Sequence, residues 1–125
     1  MAQDKRDDFL YLTWGDSNSG KRFIVGKLTR GERFVFEYTG CSEAEKCGWE
    51  RLEAFPEEKR YESETLFSIF FSRLPDPKRR DMDKILEKYG LAQYDGYELL
   101  RKNGGRLPID TYEFVCPDSL DGERG

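Results

Sequence analysis

Histidine is absent from these 125 residues. That removes imidazole acid–base catalysis, serine–histidine triads and most zinc sites from the chemistry this chain can carry. Cysteine is scarce. Cys41, Cys47 and Cys116 are odd in number, which makes no even disulfide framework, and Cys41 and Cys47 lack the short CxxC spacing of a metal knuckle. All three are expected to be reduced and to behave as small hydrophobes. No apolar run approaches the roughly 20 residues of a membrane span, and the opening Met1–Arg6 stretch lacks a signal-peptide core. The chain is therefore expected in the cytoplasm, off the membrane. Neither sign of charge dominates: 21 basic against 25 acidic residues leave a net −4, which gives no general attraction for nucleic acid or anionic lipid. Internal repeats and low-complexity blocks are also lacking.

Aromatic rings are what the chain has in quantity. Nine Phe, seven Tyr and two Trp argue against disorder in a sequence that is 37% charged. A chain of 125 residues suits one domain with its own core. That domain is expected over 9–116, between a loose N-terminus (1–8) and a polar, frayed tail (117–125).

The stretch Glu64–Asp81, ETLFSIFFSRLPDPKRRD, organises the rest. Leu66, Phe67, Ile69, Phe70, Phe71 and Leu74 recur at three- and four-residue spacing, which predicts a helix with a wide buried stripe, capped by Ser63 and placed at the centre of the core. Pro75 ends it. Asp76 and Pro77 then predict the cap and first position of a second helix. Met82, Ile85, Leu86 and Tyr89 carry its apolar face, and Gly90 closes it.

Ahead of this stretch, Phe9–Trp14, Arg22–Leu28 and Arg33–Tyr38 read as three strands joined by short turns, an antiparallel meander. Trp14 is expected in the core, and Gly26 marks a bulge or a close backbone approach. Phe34, Phe36 and Tyr38 point one way and their neighbours the other. Ser42 and Glu45 form a capping-box pattern for a short helix ended by Gly48. Trp49–Phe55 is ambiguous between a strand and an extended segment. Downstream, Asp95 with Glu98 repeats the capping-box pattern for a helix closed by Gly104-Gly105, and Ile109–Val115 reads as a strand rejoining the sheet. The fold class is α+β: a small antiparallel sheet of four or five strands, open or barrel-like, with about three helices packed on one side.

Candidate chemistry is thin. Gly15–Lys21, GDSNSGK, has the glycines and lysine of a phosphate loop, but Arg22 stands at the Ser/Thr position and a strand follows where a helix is needed, so the stretch reads as a hairpin turn. Carboxylate pairs such as Asp110 with Glu113, or Glu57 with Glu58, have no partner that would tune them for acid–base work and read as surface charge. Lys78-Arg79-Arg80, with Arg73 and Lys84, is the basic cluster. It reads as a phosphate or acidic-partner contact, or as a solvated face, since Asp76, Asp81, Asp83 and Glu87 are interleaved. Trp49 reads either as core or as an exposed interface anchor. No catalytic, cofactor or metal residues stand out, and a small enzyme is the least supported reading.

The order of short motifs resembles the N-terminal subdomain of HipA-type toxin kinases. The matching residues are Gly26-Lys27-Leu28, the Phe34/Phe36/Tyr38 alternation, Leu52-x-x-Phe55-Pro56, Tyr61 leading to Leu66–Phe71, Leu74-Pro75-Asp76 with Arg80, and Asp95–Leu100 followed by Gly104-Gly105. The similarity runs from about Phe9 to Asp110. Two departures accompany it: the family's G-G-D-x-x-G-A junction is Gly104–Asp110 of different composition here, and the chain ends where the kinase core would begin. The resemblance therefore implies no ATP chemistry and no cofactor. It implies a free-standing, non-catalytic module similar to the small HipS antitoxins, which docks on a HipA-like serine/threonine kinase and restrains it, meeting nucleic acid only through a complex. The interface expected is Trp49, Arg73, Asp76, Lys78, Arg79 and Arg80. The Gly-Gly-Arg…Asp-Thr-Tyr-Glu-Phe ending is also similar to the N-terminal region of bacterial HIRAN-domain proteins, which implies as alternative an accessory domain in DNA processing or DNA binding.

Overall fold

Backbone pairing in the computed structural model, which describes residues 8–117, builds one antiparallel sheet from strands far apart in sequence. The strands are β1 (Asp8–Gly15), β2 (Arg22–Arg30), β3 (Phe34–Tyr38), β4 (Tyr61–Ser63) and β5 (Tyr112–Val115), in the spatial order β4-β3-β2-β1-β5. The helices are α1 (Ser42–Lys46), α2 (Ser68–Phe71), α3 (Met82–Tyr89) and α4 (Gly96–Asn103). This is the expected α+β class with a small sheet. The sheet is open, because β4 and β5 lie at opposite edges and do not pair. The expected loose segments fall, for 1–7 and 118–125, outside the described residues. Asp8 is already part of β1, opposite Arg30, and ion-pairs with Arg101.

The three-strand meander forms as its alternation dictates. Between Leu12 and Thr13 the β1–β2 register slips by one residue, so that Leu12 faces Gly26 while Thr13 faces Ile24 and Val25 is left over. The bulge lets Leu10, Leu12, Val25 and Leu28 all reach the core. Gly26 is also where a ring lies against the backbone: a Cβ there would stand 2.5 Å from Phe36 Cζ. Both expectations for this glycine hold.

The phenylalanine-rich stretch is more broken than its spacing predicts. Only Ser68–Phe71 is α-helical, and Phe67 before it is extended, with φ −58° and ψ 138°. Ser63 accepts from the Thr65 N–H at 3.2 Å and so caps a turn, not the helix. The reason is packing. Phe70 sits among Phe36, Phe55 and Phe114 at ring-centre distances of 5.4, 5.7 and 5.0 Å, and Phe67 reaches Phe55 edge-on at 5.2 Å. A longer helix would point those rings along one stripe and could not surround Phe55. Phe70 is at the centre of the core, as expected, but Phe71 is 38% exposed.

The turn after Pro75 also differs. Asp76 accepts from the Lys78 N–H at 2.8 Å, yet helix α3 begins only at Met82, so 76–81 is a run of turns. Gly90 closes α3 with φ 71° as its sequence predicts. For α1 the N-cap is Cys41 rather than Ser42, with no side-chain cap bond. Asp95 does cap α4, its carboxylate accepting from the Glu98 N–H at 3.2 Å. At the other end, Gly104 is left-handed at φ 78°, and its carbonyl accepts from Phe114 N–H at 2.8 Å, tying α4 to β5. Trp49–Phe55 is neither strand nor helix. Tyr38 fixes it, donating to Phe55 O at 2.6 Å and accepting from Leu52 N–H at 2.9 Å. Among the described residues, no helix is long and apolar enough to cross a membrane.

Candidate interaction surface

Where each expected interface residue lies follows from what it is already bonded to. Trp49 is 4% exposed. Its indole N–H donates to the Tyr112 hydroxyl at 2.8 Å and its ring meets Tyr38 edge-on at 5.7 Å. It is a core residue linking the 49–55 segment to β5, and the exposed-anchor expectation is corrected. Trp14, expected in the core, is half-buried and stacks on Phe23 at 6.2 Å.

Arg73 is also removed from the surface. Its side chain is only 10% exposed. The guanidinium donates to both carboxylate oxygens of Asp110, at 3.1 and 2.6 Å, and to Gly105 O at 2.6 Å. Arg73 thus clamps the end of the phenylalanine stretch to the connection between α4 and β5. Asp110 is half of this clamp, not surface charge. Burial pushes its carboxyl up, but the bonds from Arg73 and from Tyr112 N–H outweigh that and hold it below the usual 3.8.

Asp76, Lys78, Arg79 and Arg80 are exposed together on the 76–81 turn. Arg79 is paired with Asp81 through two bonds of 2.9 Å and lies on the turn ahead of α3, outside any helix. The Arg79 bonds keep the Asp81 carboxyl below its ordinary value. Lys78 and Arg80 have no ion pair among the described residues and carry the turn's available positive charge.

Next to this turn lies an apolar hollow of about 500 Å³ that the sequence does not announce. Phe34 from β3, Leu66, Phe71 from α2, Tyr94 and Tyr97 from α4 form its walls. Tyr94 joins hollow to turn: its hydroxyl donates to Pro75 O at 2.8 Å, and its ring lies 6.1 Å from that of Phe71. Gly96 is part of the wall because α4 comes close there; a Cβ would meet Leu66 Cδ2 at 3.0 Å and Leu74 Cδ1 at 3.3 Å. The half-exposed Phe71 is the signal that finds the site, and its exposure depends on how α2 is turned, which spacing alone does not fix.

The remaining polar features serve the fold. The 15–21 loop is a turn, as expected. Buried Asp16 occupies it from within, accepting from Asn18 N–H at 3.2 Å, Ser19 N–H at 3.3 Å and the Ser19 hydroxyl at 2.7 Å. The amides that would hold a phosphate already hold this carboxylate, whose pKa the Ser19 hydroxyl draws down. A second hollow of about 480 Å³, bounded by Glu37, Cys41, Glu45, Glu58 and Arg60, is polar. There, burial and then the charges of Glu45 and Glu58 push the Cys41 thiol up to about 11, so it stays protonated, its one S–H within reach of Thr39 O at 3.0 Å and Val25 O at 3.2 Å. Cys47 and Cys116 are free thiols as well. Arg30, Asp95, Glu98 and Arg101 form a chain of ion pairs between β2 and α4 at 3.0 to 3.6 Å. Among the described residues, no three His, Cys, Asp or Glu side chains converge as a metal site. No protein-family profile, curated protein or solved structure matches this chain.

Proposed function

We propose that this protein is a non-catalytic interaction module that docks on a HipA-like serine/threonine kinase and restrains it. The observation that supports the reading is the juxtaposition of an exposed charged turn, 76–80, with an apolar hollow into which a half-exposed phenylalanine projects. Apolar surface beside a polar rim is the chemistry of a protein contact. The order of motifs resembling the HipA N-terminal subdomain supplies the class of partner. In this reading Asp76, Lys78, Arg79 and Arg80 form the rim, while Trp49 and Arg73 hold the scaffold behind it.

Co-expression with a HipA-like kinase tests this. A co-purifying complex and slowed autophosphorylation are expected. Lys78→Glu combined with Arg80→Glu is expected to weaken the complex by about tenfold or more, since rim charges steer association and set partner choice. Absence of both complex and inhibition across HipA-like kinases would overturn the proposal.

A further inference from the structure

We draw no further inference here: the strongest candidate, the apolar hollow beside α2, belongs to the interaction surface already described, and with Glu64 paired to Arg33 and Asp95 to Arg30 nothing in the structure shows what covers it.

Discussion

Arg73→Ala is the substitution that separates a structural arginine from an interface arginine. The wild-type guanidinium is 10% exposed and Asp110 28% exposed, with bonds of 2.6 and 3.1 Å between them and a further 2.6 Å bond to Gly105 O. Removing one partner of a buried pair costs about 3–5 kcal/mol, because the other charge is left without compensation. Asp110 keeps a quarter of its surface in water, so a loss of about 2–3 kcal/mol is expected. At roughly 3–6 °C per kcal/mol for a domain of this size, melting should fall by about 6–18 °C. Urea unfolding followed by tryptophan fluorescence measures it, since buried Trp49 sits close to the clamp through Tyr112. The sign with pH follows from Asp110. Its folded carboxyl titrates below the unfolded 3.8, so the clamp's stabilisation is full above that value and is lost as pH falls through the lower folded value. The gap between wild type and variant should therefore close in acid, below about pH 4. A loss under about 0.5 kcal/mol at neutral pH, the size of an exposed pair, would refute the clamp.

Four further substitutions or measurements follow from the same contacts. Gly26→Ala pushes a Cβ to 2.5 Å from Phe36 and is expected to cost about 1–3 kcal/mol by chemical denaturation; a neutral result would contradict the packing of Phe36 on that glycine. Tyr97→Phe is expected to leave stability unchanged or to raise it by up to about 1 kcal/mol, because its buried hydroxyl has no hydrogen-bond partner among the described residues. Asp95→Ala removes both the α4 cap and the 3.0 Å contact to Arg30, and a loss of about 1–2 kcal/mol is expected in thermal melts. Iodoacetamide at pH 8 should label Cys47 and Cys116 in the native protein and spare Cys41, whose thiol burial holds at about 11; fast labelling of Cys41 would show that its pocket is open.

What the sequence disclosed about the fold was local. Asp95 three residues before Glu98, Gly90 and Gly104 after apolar turns, and the alternation through Phe34, Phe36 and Tyr38 each act within one element, and each appears in the structure. What it hid depends on partners distant along the chain. Trp49 is buried because Tyr112, 63 residues on, accepts its N–H. Arg73 looked like one more cation in a basic run, and its carboxylate lies 37 residues away. The long helix expected over Leu66–Leu74 gives way to one turn because the rings must surround Phe55 and Phe70, a demand of tertiary packing that spacing does not encode. Of the residues expected at an interface, those in 76–80 are exposed, while the hollow was invisible until Phe34, Leu66, Phe71 and Tyr94 were brought together.

Hydrogen–deuterium exchange of the protein alone and mixed with a HipA-like kinase tests the contact surface most directly. Slower exchange is expected over 64–80 and 94–97, with the clamp at 105–112 and the loop at 15–21 unchanged. Protection confined to the clamp or the loop, or an exchange pattern the kinase leaves untouched, would contradict the account.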